Sequence, residues 1–100
     1  MKKRSTEPLC RIHAFYSGRV QGVGFRYTAE SLALDLGLVG WVKNLPDGRV
    51  ELVCEGLKEK IERFLAQIKG SFAPYIRESV CHWERATGEF QDFHVEFCLY

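Results

Sequence analysis

The sequence predicts an α+β domain of order β-α-β-β-α-β, an antiparallel sheet with two helices packed on one face. Three observations carry that prediction. Apolar residues alternate at every second position in Cys10–Ser17 and again in Arg49–Glu55. The period changes to a helical one after Phe25 and after Lys58. Each change of period falls at or near glycine, or at a Pro-Asp-Gly turn, where neither regular element continues comfortably.

Taken in order, Cys10–Ser17 is a strand with Cys10, Ile12, Ala14 and Tyr16 on one face and Arg11, His13, Phe15 and Ser17 on the other. Gly18–Gly24 is a glycine-rich connection. From Phe25 a helix places Phe25, Ala29, Leu32 and Leu36 on one stripe, and Gly37 is suited to end it. Leu38–Lys43 is a short strand, Leu45-Pro46-Asp47-Gly48 a hairpin turn, and Arg49–Glu55 a strand with Val50, Leu52 and Cys54 inward. Lys58–Lys69 is the second helix, with Ile61, Phe64, Leu65 and Ile68 as its apolar stripe and Gly70 as its stop. Tyr75–Glu84 and Gln91–Phe97 are two further strands, and Arg85–Glu89 between them suggests that the last folds back as a hairpin.

Length and charge narrow the functions. One hundred residues make a single modest core, here expected over residues 10–98 behind a flexible tail at 1–9. A net charge of +1, with acids and bases interspersed, argues against a general nucleic-acid or membrane binder while allowing a local pocket for a small anion. No apolar run approaches the ~18 residues of a membrane span. Met1–Pro8 is polar with no long apolar segment after it, so the expected compartment is the cytoplasm; a monomer is expected as well.

The four cysteines, Cys10, Cys54, Cys81 and Cys98, form no C-x-x-C pair, which leaves zinc and dithiol redox sites without support. None opens a C-x5-R phosphate loop, since Tyr16, Lys60 and Thr87 stand where arginine would follow the first three. No carboxylate pair or His/carboxylate cluster is placed to hold a metal, and no cofactor is expected.

Two segments carry chemistry. In Gly18-Arg19-Val20-Gln21-Gly22-Val23-Gly24-Phe25-Arg26, a glycine-containing turn between strand and helix can aim backbone N–H groups into one concavity, and the helix N-terminus adds a favourable field for phosphate. Arg26 can add a charged fork to the phosphate oxygens. The segment is neither a Walker loop nor a dinucleotide fingerprint, because it lacks the Gly-Lys-Ser/Thr of the one and the third glycine of the other. On these residues alone, a plain strand-to-helix turn with an exposed arginine is the simpler reading. The second segment is Gly40-Trp41-Val42-Lys43-Asn44, followed by Gly48, Val50 and Gly56. Asn44, where a strand meets a turn, is either a turn-former or a carboxamide able to orient a water.

Together the two segments resemble the acylphosphatase family. Gly18, Val20, Gln21, Gly22, Val23, Phe25 and Arg26 match its first signature, and Gly40 to Asn44, Gly48, Val50 and Gly56 match its second. Tyr16 departs from the pattern, standing where it gives an aliphatic residue. The resemblance spans about Ile12 to Phe97 and implies a ferredoxin-like fold, which agrees with the element order read above. It implies metal-independent hydrolysis of the carboxyl–phosphate bond of small acyl phosphates. It also implies that the Arg19–Val23 backbone, with Val20, Gln21 and Gly22 between, binds the phosphate, Arg26 grips its oxygens and Asn44 positions water.

Two rival readings share the element order: a relay module of the kind found within larger carbamoyl-phosphate-using proteins, and an RNA-binding domain. The latter lacks the aromatic-rich RNA signature and the basic charge. His13, His82 and His94 fall on three different strands and read as ordinary strand histidines. Cys10 and Cys54 share a face near one end of the sheet if the first and third strands are neighbours, as the resemblance implies. A disulfide is then conceivable, although two reduced core thiols suit a cytoplasmic protein better.

Overall fold

The computed structural model describes residues 8–97. The chain runs β1 (Leu9–Gly18), α1 (Phe25–Asp35), β2 (Val39–Asn44), β3 (Val50–Leu57), α2 (Lys58–Phe72), β4 (Ile76–Arg85) and β5 (Phe93–Glu96). Leu9, given to the tail by its sequence, is the first residue of β1, and Met1–Glu7 and Cys98 lie outside the described residues. No described helix is long and apolar enough to cross a membrane.

Alternation decides which face of the sheet is covered. Ile12, Ala14 and Tyr16 of β1, Val42 of β2, and Val50, Leu52 and Cys54 of β3 all point to one side and are buried against both helices. From α1 come Phe25, Ala29 and Ala33, and from α2 Ile61, Phe64, Ile68 and Phe72. Tyr16 is only 5% exposed, so the departure from the family pattern is absorbed in packing: its ring lies 5.0 Å from that of Phe25.

Helix ends follow local chemistry. Gly37, at φ +70°, ends α1 while the Leu38 N–H reaches the Ala33 carbonyl at 2.9 Å. Gly70 does not end α2. It is exposed with open space around it, a position where glycine costs only about 1 kcal/mol, and two more residues bring Phe72 into the core 4.8 Å from the Phe25 ring.

The sheet order is β4-β1-β3-β2-β5, with β1 antiparallel to both its neighbours and β2 antiparallel to β3. The last strand corrects the expected hairpin. β5 pairs parallel with β2, at the opposite edge from β4, so the sheet is mixed. Segment 86–92 is therefore a crossover. Its anchor is Glu55, a β3 carboxylate only 3% exposed, which accepts hydrogen bonds from the Thr87 N–H (2.9 Å), the Thr87 hydroxyl (2.8 Å), the Gly88 N–H (3.0 Å) and Arg11 (3.1 Å). Beyond it, the Gly40 N–H donates to the Asp92 carbonyl at 2.8 Å, and Phe93 enters the core beside Phe64.

Burial alone would raise the Glu55 pKa, but the bonds from Thr87, Gly88 and Arg11 outweigh it and hold the carboxyl below its usual range. A carboxyl whose pKa falls on folding stabilises the fold above its unfolded pKa and loses that contribution as pH drops through the folded one. Glu55→Ala is accordingly expected to cost roughly 3 kcal/mol near neutral pH. Its acid-induced destabilisation below about pH 4 should also be shallower than that of the parent. Urea unfolding at a series of pH values checks both.

Cys10, Cys54 and Cys81 are free thiols. Cys10 stands opposite Gly56 and Cys54 opposite Ile12, so the first two are diagonal rather than facing across β1 and β3 and no disulfide joins them. Burial pushes the Cys54 thiol far up, suiting a reduced core residue.

Candidate active site

The glycine-rich connection leaves β1 where a close backbone approach is required. Gly18 has φ +124°, and a Cβ there would collide with the carbonyl oxygen of Tyr75. That approach lets the Arg19 N–H donate to the Tyr75 carbonyl at 2.8 Å. Arg19 was expected among the backbone donors to phosphate, and its amide is already engaged here. The amides of Val20, Gln21, Gly22, Val23 and Gly24 donate to no other described residue. Val20 is fully buried and anchors the loop, while Gly22 and Gly24 are exposed on it.

Gly24 is the N-cap of α1 in the left-handed region, at φ 83° and ψ 16°. Among the described residues no side chain caps this helix, and its first turn holds no acidic residue, so its orphan N–H groups and positive end are uncompensated from within the helix. Phe25, packed between Tyr16 and Phe72, fixes the start of the helix. The next residue is Arg26. Among the described residues no carboxylate is within ion-pair range of its guanidinium, and the Phe97 ring lies 5.1 Å beneath it. Free amides, an uncapped helix end and a guanidinium thus occupy one short segment, a combination suited to a phosphate-sized dianion.

Asn44 is the last residue of β2, opposite Val50 of β3, and is partly buried. The turn after it is closed by the Leu45 N–H donating to the Arg49 carbonyl (2.8 Å) and the Gly48 N–H to the Leu45 carbonyl (3.1 Å). Asp47 receives the Arg49 N–H at 3.1 Å and Arg49 Nε at 2.8 Å. The backbone bond and, after it, the side-chain bond from Arg49 lower the Asp47 pKa. The glycine loop meets this turn through Gln21, whose Nε2 donates to the carbonyls of Leu45 (2.8 Å) and Arg49 (2.9 Å). The loop preceding Arg26 and the turn following Asn44 are thereby bonded together.

Two features were not read from the sequence: the side-chain bonds of Gln21 and the Phe97 ring beneath Arg26. Spacing carries no sign of either, since both are contacts between segments distant in the chain. His13, His82 and His94 fall on β1, β4 and β5. His13 pairs with Glu51 at 2.6 Å on the uncovered face. His94 lies between Asp92 and Glu96 at the β5 edge, and the hydrogen bond it donates to Glu96, more than the one it donates to Asp92, raises its pKa. Among the described residues no three His, Cys, Asp or Glu side chains are grouped to hold a metal ion.

Comparison with known proteins shows the family. The acylphosphatase family model matches residues 12–95. An acylphosphatase of Nostoc sp. is 61% identical over 81 residues, covering 80% of either chain. One of Mycobacterium sp. is 43% identical over 91 residues, covering 90% of this chain and 97% of its own. The crystal structure of acylphosphatase from Bacillus subtilis superposes with a TM-score of 0.81 at 32% identity, over 87% of this chain and 98% of that one. With its signature segments, its ferredoxin-like fold and these relatives in agreement along most of its length, the chain belongs to the acylphosphatase family of hydrolases.

Proposed function

We propose that this acylphosphatase holds the phosphoryl group of its substrate in the amides of Val20, Gln21, Gly22 and Val23 and in the guanidinium of Arg26, and that Asn44 orients the attacking water. The observation that carries the reading is the row of loop amides that bond to no other described residue, set against an uncapped helix end and beside Arg26. Arg19 contributes through its place in the loop, since its own amide is bonded to Tyr75.

Acyl phosphates need little else. The carboxylate is a good leaving group, and a largely dissociative transfer asks mainly for positioning and for neutralisation of the equatorial oxygens. The water oxygen bonds to phosphorus as the bond from phosphorus to the acyl oxygen breaks. The carboxylate departs with that electron pair, and a phosphate oxygen takes the water's proton. The site addresses the phosphoryl group and leaves the acyl group free to vary.

Residues 10–98 form the whole catalytic unit in this reading. It works as a monomer, because one chain supplies loop, guanidinium and carboxamide. It works in the cytoplasm, whose reducing conditions suit the free thiols of Cys10, Cys54 and Cys81.

The test is hydrolysis of benzoyl phosphate by protein treated with EDTA. Turnover equal to that of untreated protein is expected. Activity lost in EDTA and restored by a divalent cation would overturn the metal-independent mechanism.

A further inference from the structure

We infer that Gln21 is a positioning residue, whose side-chain amide sets Asn44 at its distance from the phosphate loop. The inference rests on the reading above, in which Asn44 orients the water.

The two carbonyls that Gln21 grips are the pair that closes the turn beside Asn44. Leu45 follows Asn44 directly, and Arg49 precedes Val50, the residue opposite Asn44 in the β2–β3 register. The Leu45 and Arg49 carbonyls already accept one turn bond each, from Gly48 and Leu45, and Gln21 donates a second bond to each. A primary amide nitrogen has two hydrogens, one for each carbonyl, and only that end of the carboxamide can face two acceptors. The side chain therefore has a single productive orientation and no donor to spare.

Its location gives the contact its consequence. Pro46 and Asp47 at the tip are exposed, so the turn is held from one side by its own strands and from the other by Gln21. The Gln21 backbone belongs to the loop whose amides face the phosphate. One residue thus connects the element that holds phosphorus with the element that holds water. Attack on phosphorus depends on that separation, and a misplacement of about 1 Å can cost on the order of 100-fold in rate.

The experiment is a double-mutant cycle on benzoyl phosphate hydrolysis with Gln21→Met, which keeps the length and bulk of the side chain and removes both donors. Should that variant not fold, Gln21→Asn, too short to reach both carbonyls, takes its place. In the parent background kcat should fall roughly 10- to 100-fold. The inhibition constant of inorganic phosphate should change less than about twofold, since the loop amides remain. In the Asn44→Ala background the same substitution should change kcat less than about twofold, because the residue it positions is gone. Equal kcat losses in both backgrounds, an unchanged kcat, or phosphate binding weakened as much as turnover would each overturn the inference. Near-normal turnover by Asn44→Ala alone would instead overturn the reading of Asn44 on which it rests.

Discussion

Arg26→Ala is expected to lower kcat/KM for benzoyl phosphate by about 100- to 1,000-fold, the loss typical when one preorganised partner of a developing anion is removed. Phosphate binding should weaken with it, because in the proposed reading the guanidinium faces the ground-state dianion as well as the transition state. Inorganic phosphate as competitive inhibitor reports that second effect directly. Arg26→Lys should recover only part of the loss, since a point charge cannot replace a planar fork on two oxygens. The fold should survive, because Arg26 is partly exposed and Phe25, not Arg26, packs the helix start into the core. A variant with near-normal hydrolysis would remove Arg26 from the mechanism.

Asn44→Ala should separate binding from turnover. Its carboxamide is assigned to the water, so kcat should drop on the order of 100-fold or more while the inhibition constant of phosphate stays close to that of the parent. The residue closes β2 opposite Val50, with Leu45 and Arg49 bonded just beyond it, so the strand end has other supports when the side chain is cut back. If phosphate affinity fell as far as turnover, Asn44 would be a residue of binding or folding instead. Together the two variants make distinct kinetic signatures: loss of both parameters for Arg26, loss of one for Asn44.

The fold was legible wherever a local period was enough. Ile12, Ala14 and Tyr16 of β1 and Val50, Leu52 and Cys54 of β3 on the covered face, and the Phe25 stripe, all follow from alternation or from helical spacing. The error lay in the last strand. Arg85–Glu89 looks like a turn, and its glycine at position 88 does have φ +78°, but the strand after it pairs with β2 instead of β4. What directs it is Glu55, a lone carboxylate that reads as a solvent-facing strand residue until Thr87 and Gly88 are seen on it. Gly70 misled for the opposite reason: its propensity to stop a helix was overridden by the burial of Phe72. At the site, Arg26, Asn44 and the glycine loop stood out as residues of two signature segments. The Gln21 bridge was hidden, because a glutamine inside a signature looks the same whether its backbone or its side chain is used.

The parallel pairing of β5 with β2 also makes the far edge of the sheet depend on a strand that is distant in sequence. β2, which ends in Asn44, is a sheet edge until residues 93–96 are laid against it, and Phe97 reaches the guanidinium of Arg26 only after that. Removing Phe93–Glu96 should therefore bare that edge of β2, open the core where Phe93 sits and destabilise the fold, which urea unfolding measures.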